Sequence, residues 1–222
     1  MVVDVKNWEE IRGRVMGSYK GPRARKSRAL GMDLSPFGVR PYESKCKHAS
    51  RPGQTAKRRP TSSRFGEQQA AVNAMVNYYY IRGKQFKRYF MKAKTMPGST
   101  DENLIKLLES RLDHVVYKMG FAITKRQSRQ MVSHKQITVN GKVVSCPSYA
   151  IHPGDTVAVK ESARDHERVQ MSIQIARENQ QGEWLECDFE TCSGVYKEFP
   201  ALEQVPLFDS NMLGMVIVYY SK

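Results

Sequence analysis

Asn140-Gly141 lies between two short β-rich runs, Ile137-Thr138-Val139 and Lys142-Val143-Val144. That pair is the strongest short-range signal for a tight antiparallel hairpin, because both central residues of its turn need positive φ. Pro153-Gly154-Asp155 makes a second turn ahead of Thr156-Val157-Ala158-Val159. Upstream, Leu104, Leu107, Leu108, Leu112, Val115, Val116 and Met119 form an i, i+3, i+4, i+7 stripe, which predicts one amphipathic helix. Asp101 and Glu102 suit the positive end of its dipole, and Gly120 suits its end. Thr124, with Gln127 three residues on, reads as the capping box of a second, short helix, TKRQSRQMVSHK. The middle of the chain is therefore a module of two helices and a small, curled antiparallel sheet.

Charge divides the chain unevenly. Of the formal +14, residues 1–110 hold 23 basic and 9 acidic side chains, residues 111–175 hold 10 and 5, and residues 176–222 hold 3 and 8. Ser18 to Arg64 carries 13 basic residues and only Asp33 and Glu43 as acids. Gly and Pro recur through it without apolar periodicity, which predicts extended or irregular backbone. A disordered basic arm and a segment that orders on RNA both fit. In the second reading phosphates neutralise cations whose mutual repulsion otherwise opposes compaction. Lys45, Lys47, Arg51, Lys57, Arg58 and Arg59 are its densest part.

From Arg64 the pattern turns helical. Ala71, Met75, Tyr78 and Tyr79, then Phe86, Tyr89 and Phe90, recur at helical spacing, with Arg82, Lys84, Lys87, Arg88, Lys92 and Lys94 around the second set. Two basic amphipathic helices broken near Gly83 account for this, and the spacing argues that the aromatics are core. In the module, Lys125, Arg126, Arg129, Ser133, His134 and Lys135 form a polar helix side, and Lys142 follows Asn140-Gly141, where backbone comes close to a ligand. Solvation accounts for any one of these side chains. Together with a basic arm and basic helices, RNA contact is the better account.

Several classes are excluded. The longest apolar stretch, Met212 to Tyr220, is broken by Gly214 and is far short of the roughly 20 residues that span a bilayer. The start, MVVDVKNWEE, has neither a positive n-region nor an apolar run behind it. Cys46, Cys146, Cys187 and Cys192 form no CxxC pair and fit a reducing compartment. The histidines (His48, His114, His134, His152 and His166) have no metal-ligand spacing, and no P-loop, GxGxxG or Gly-x-Ser-x-Gly is present. Asp113 and His114 are adjacent on a helix, so their side chains point apart. No enzyme, cofactor, metal or membrane is expected.

The run RLDHVVYKMGFAITKRQSRQMVSHKQITVNGKVV, residues 111–144, resembles the signature of the ribosomal S-four RNA-binding domain. Outside it, GPRARKSRALG, CKHASRPGQTAKRRPTSSRFGEQQ, KQFKRYFMKA and the final VIVYYSK resemble bacterial-type small-subunit ribosomal proteins of the S-four family. The likeness runs from about Ser18 to Lys222. It implies an α+β protein: a mostly helical domain built from the N-terminal half and the C-terminal tail, with the small RNA-binding domain inserted. The segments are 1–17, an extension without counterpart; 18–108, basic arm and helical domain; 109–175, the RNA-binding domain; and 176–222, packing back on the helical domain.

The resemblance also implies the function: a primary binder of small-subunit rRNA that grips a multi-helix junction in the 5′ domain, nucleates assembly and influences decoding accuracy. Its neighbours would be the S-five and S-three families, near the channel by which mRNA enters. Some members repress translation of their own operon, so mRNA is the alternative partner. The implied place is a ribosome in a bacterial cytoplasm, with an organelle ribosome as the other setting. Lys20, just before the first motif, Arg23, Arg25, Lys26 and Arg28 within it, and Arg111 of the module signature join the candidate RNA contacts by resemblance. Only Cys46 lies where zinc-binding members carry four cysteines, so this chain resembles the zinc-free form. Thr55-Ala56 stands where the family has His-Gly, and AAVNAM replaces a more basic stretch.

Overall fold

The computed structural model describes residues 21–34, 44, 51–52, 63–178, 182–205 and 208–221. Part of the stretch that reads as irregular is helical. Helix α1 (Arg23–Leu30) follows Pro22, which sits at the N-cap with φ −67°, and it ends on Gly31 at φ 69°, whose N–H donates to Ser27 O. Ser27 is buried, and its hydroxyl accepts from Leu34 N at 3.2 Å. The remaining basic-arm candidates Lys20, Lys45, Lys47, Lys57, Arg58 and Arg59 lie outside the described residues.

Helix α2 (Arg64–Tyr78) starts on Ser63, whose hydroxyl accepts from Gly66 N at 3.1 Å. Helix α3 (Gly83–Thr95) follows after a break at Tyr79-Tyr80, where Tyr80 takes φ 53°. As the spacing predicts, Met75, Tyr79, Phe86 and Phe90 are buried.

The long apolar stripe is two helices, not one. Helix α4 (Thr100–Glu109) and helix α5 (Leu112–Lys118) are separated by Ser110 and Arg111. Arg111 is extended, at φ −69° and ψ 134°, and bridges to Ala150. Ile151 N donates to Ser110 O at 2.8 Å, and Leu112 N donates to Tyr149 O at 2.9 Å. The stripe survives because it serves two cores in turn. Leu104 and Leu108 enter a helical core, and Leu112, Val115, Val116 and Met119 enter the core of the module.

Helix α6 (Lys125–Ser133) begins on Thr124, whose hydroxyl accepts from Gln127 N at 3.1 Å. Gln127 returns the cap to Ile123 N at 3.3 Å, one residue earlier than in the usual box. Strands β1 (Ile137–Val139) and β2 (Lys142–Val143) meet through Asn140 and Gly141 at φ 49° and 76°, as a type I′ turn requires. Strand β3 (Thr156–Val159), helices α7 (Glu161–Arg164) and α8 (Glu167–Glu178), strands β4 (Leu185–Asp188) and β5 (Ser193–Tyr196), a 3-10 turn (Leu202–Gln204) and helix α9 (Ser210–Ser221) complete the order.

Among the described residues the sheet has five strands, ordered β2-β1-β3-β5-β4, all antiparallel. Its last two strands come from the C-terminal segment, 176–222, for which the resemblance implies packing back on the helical domain. Trp184, Leu185, Cys192 and Tyr196 instead fill the module core, and Trp184 meets Tyr196 edge-on at 5.5 Å. Close packing selects the pairing: a Cβ on Gly194 would lie 3.0 Å from both Glu186 O and the Met119 sulfur. Only the end of the chain returns to the helical core, through Val205, Phe208, Leu213 and Val216. There α9 lies on α2 and α4, with the Tyr220 ring tilted 31° to that of Phe90, 5.0 Å away. No helix among the described residues is long and apolar enough to cross a membrane.

Candidate nucleic-acid interface

Helix α6 turns Ser128, Met131 and Val132 inward. That leaves Arg126, Arg129 and Ser133 on its outer face, with exposed His134 and Lys135 just beyond its end. Lys135 takes φ 60°, which turns the chain from α6 into β1. Asn140 and Lys142 are exposed on the hairpin that follows. Asn140 is also structural: its Nδ2 donates to Asp155 Oδ1 at 2.7 Å and its Oδ1 accepts from Thr156 N at 2.9 Å. This pins the hairpin to β3, so Lys142 stands on a braced support. Ser133 donates its hydroxyl to Arg129 O at 2.8 Å.

Arg82, at the N-cap of α3, and Lys84, Lys87 and Arg88 along the helix are exposed, opposite buried Phe86 and Phe90. On α1, Arg25 is exposed and Arg23, Lys26 and Arg28 are half-buried; Arg51 is exposed.

Two candidates are placed differently. Arg111 is 2% exposed and grips Asp113 with two donors, Nε to Oδ1 at 3.0 Å and Nη2 to Oδ2 at 2.7 Å. Its Nη1 donates to Tyr89 Oη at 2.7 Å. Burial works against its charge, but Asp113 and Tyr89 outweigh that and raise its pKa. Arg111 thus joins the extended link to α3 and is turned away from solvent. Exposed Arg129 reaches the same carboxylate at 3.4 Å, so Asp113 braces one outward cation.

Lys125 also turns inward. Its Nζ donates to Tyr78 O at 2.6 Å and lies 3.0 Å from the Tyr78 ring centroid, with Tyr117 and Tyr79 at 5.2 and 5.5 Å. Burial holds its pKa well below the ordinary lysine range, against the pull of Glu109. It ties the start of α6 to the end of α2.

Beneath it, Tyr79 Oη donates to Glu109 Oε1 at 2.7 Å, and His114 Nε2 lies 2.9 Å from Glu109 Oε2. Glu109 is 0% exposed and His114 2%. Burial drives the His114 pKa down to about 4, although Glu109 pulls it up. At neutral pH this is a neutral imidazole beside a carboxylate. Asp113 and His114 therefore have separate partners and form no catalytic pair. Among the described residues no three His, Cys, Asp or Glu side chains cluster to hold a metal ion.

Local pattern does not single out Tyr80 or Asp113. The Tyr80 ring centroid lies 5.4 Å from the guanidinium of Arg23 on α1 and 5.9 Å from that of Arg126 on α6. A triple tyrosine ahead of Ile81-Arg82-Gly83 is the local signal, but nothing local separates this ring from its two neighbours, which turn inward.

The family model of the ribosomal protein S4/S9 N-terminal domain matches residues 18–109, and that of the S4 domain matches residues 110–157. Their border falls at the break between α4 and α5. Curated relatives named small ribosomal subunit protein uS4, from Wigglesworthia glossinidia brevipalpis and Teredinibacter turnerae, are each 42% identical over 208 residues, covering 93% of this chain and 100% of theirs. The relative from Saccharophagus degradans is as similar, over the same extent. With these matches spanning both cores of the fold, the chain belongs to the uS4 family of small-subunit ribosomal proteins.

Proposed function

We propose that this protein binds small-subunit rRNA directly, grips a helical junction of its 5′ domain and so nucleates assembly of the subunit, with an influence on decoding accuracy near the channel by which mRNA enters. The observation that carries this is the separation of charge across one sheet. Strand β2, at one edge, bears exposed Lys142 and continues the run of Arg126, Arg129, His134 and Lys135 from α6. Strand β4, at the opposite edge, bears exposed Glu186 and Asp188, with Glu183 and Glu190 beside it. A polyanion meets only the first edge. The second suits basic neighbouring proteins, for which the S-five and S-three families are the candidates.

Recognition by shape follows from the nucleic acid. A-form RNA hides its base edges in a deep, narrow groove, so phosphates and 2′-hydroxyls are what rigidly mounted cations can reach. Asn140, Asp113 and the Lys125 tie supply that rigidity, and the protein then favours the junction conformer that fits it. The side chains carried forward are Arg23, Arg25, Lys26, Arg28, Arg51, Arg82, Lys84, Lys87, Arg88, Arg126, Arg129, His134, Lys135 and Lys142. Lys20, Lys45, Lys47, Lys57, Arg58 and Arg59 extend the set along the chain.

Footprinting on the isolated 5′-domain RNA is the test. Protection confined to one junction supports the reading, and equal protection of any RNA defeats it. With roughly 6–10 phosphates engaged, affinity falls about 10³–10⁵-fold between 50 and 200 mM salt. Competition by the leader of the protein's own mRNA would establish a translational repressor using the same surface.

A further inference from the structure

Two guanidinium groups from separate parts of the chain converge on one tyrosine ring. Arg23 opens α1, Arg126 lies in the first turn of α6, and both reach the Tyr80 ring, at 5.4 and 5.9 Å from its centroid. Among the described residues neither arginine has an acidic partner within ion-pair distance. The two are close enough for repulsion to be felt: burial lowers the pKa of Arg23 most, the Tyr80 hydroxyl pulls it up, and the charge of Arg126 lowers it. Elsewhere at this seam the buried guanidinium of Arg111 is compensated by Asp113.

The ring that gathers them is held in an unfavourable backbone conformation. Tyr80 is at φ 53°, in the left-handed region that glycine occupies readily and a tyrosine does not. Tyr78 and Tyr79 beside it turn into the protein, on Lys125 and Glu109. The left-handed residue instead sends the third ring toward α1 and α6, where its face can attract both guanidinium groups.

Arginine matches a phosphate through planar paired donors, and two arginines on one anion relieve their mutual repulsion. We infer that Arg23, Tyr80 and Arg126 form a clasp for a single RNA backbone phosphate, bridging the N-terminal helical part and the S4 module, with Tyr80 as the positioning residue. This rests on the rRNA-binding reading and adds to it a specific seat at the seam. One phosphodiester held there fixes both parts of the protein on the same strand.

The test uses the full chain and a transcript of the 5′ domain, with affinity measured across a salt series. Tyr80→Gly suits the left-handed backbone, so it melts no lower than the parent protein. It binds the transcript about 3–10-fold more weakly because the platform is gone. Tyr80→Phe keeps the ring and binds as the parent does. Arg23→Gln and Arg126→Gln each weaken binding, and the double variant lowers the log–log salt slope by about one, the value for one shared phosphate. A fall of about two in the double variant means two independent contacts and overturns the clasp. Unchanged affinity in a well-folded Tyr80→Gly protein overturns it as well. If the parent binds the transcript without steep salt dependence, the rRNA reading falls and takes the clasp with it. A steep parent slope beside an unaffected Tyr80→Gly variant defeats the clasp alone.

Discussion

His114 makes the stability of this protein acid-sensitive well above the range in which carboxylates titrate. The folded protein protonates it only near pH 4, because the ring is buried and Lys125 and Lys118 oppose a further cation, while Glu109 only partly offsets them. An unfolded chain protonates the same histidine at its ordinary 6.5. Between those values the unfolded state binds more protons, so stability falls as pH falls. Each pH unit inside the window is worth about 1.4 kcal/mol, so acidification from 6.5 to 5 removes about 2 kcal/mol through this residue. In a chain of this size that corresponds to about 4–8 °C in the melting midpoint. Glu109 adds little in this window: its folded pKa lies below the ordinary 4.5, and its own loss of stabilisation comes at more acid pH. The assay is urea unfolding followed by fluorescence of buried Trp184, at pH 7 and pH 5. His114→Gln keeps a donor toward Glu109 but cannot titrate. It is less stable than the parent at pH 7, yet loses about 2 kcal/mol less than the parent on moving to pH 5. An equal loss in both proteins refutes the reasoning, because the acid sensitivity then arises elsewhere.

Three further outcomes follow from the same seam and sheet. Arg111→Met leaves Asp113 with a buried and weakly compensated charge, costing about 3–5 kcal/mol in denaturant unfolding, and Asp113→Asn in the same chain recovers part of it. Lys125→Met keeps the apolar stem but loses the Tyr78 carbonyl and the rings, costing about 1–2 kcal/mol, while the salt slope of RNA binding is unchanged because no phosphate contact is lost. Gly194→Ala pushes a methyl against Glu186 O and Met119, so the β4–β5 edge loosens and the thermal midpoint drops by an amount equivalent to about 1–3 kcal/mol.

Features that depend on neighbours along the chain are legible in the sequence alone. Thr124 and Gln127 cap α6 because the groups that bond are three and four residues apart. Asn140-Gly141 turns because both residues tolerate positive φ. The inward faces of α2 and α3 follow from the repeat of Met75, Tyr79, Phe86 and Phe90. The outward cations of α3 and α6 are the complement of those faces, so much of the candidate interface can be read with them.

What is not legible depends on partners far along the chain. No Gly or Pro marks the break at Ser110 and Arg111. It is made by hydrogen bonds to residues 147–151, which replace helical bonds there. Lys125 and Arg111 look like any other cation of an RNA-binding surface. Lys125 turns inward because Tyr78, 47 residues earlier, offers a carbonyl at the end of a helix, and Arg111 because Tyr89, 22 residues earlier, meets it with Asp113. The acidic segment carries strands β4 and β5 because Trp184 and Tyr196 fill the module core, a match of shapes that charge does not reveal.

By itself the sequence determined the α6 cap, the hairpin turn, the inward faces of α2 and α3, the basic character of the surface and the family, since each is written in spacing, turn chemistry and motif. Tertiary structure decided which cations face outward, where the two cores divide and which ring gathers Arg23 and Arg126. Those depend on where distant side chains and carbonyls come to rest, and a buried partner can claim a charge that local pattern leaves free.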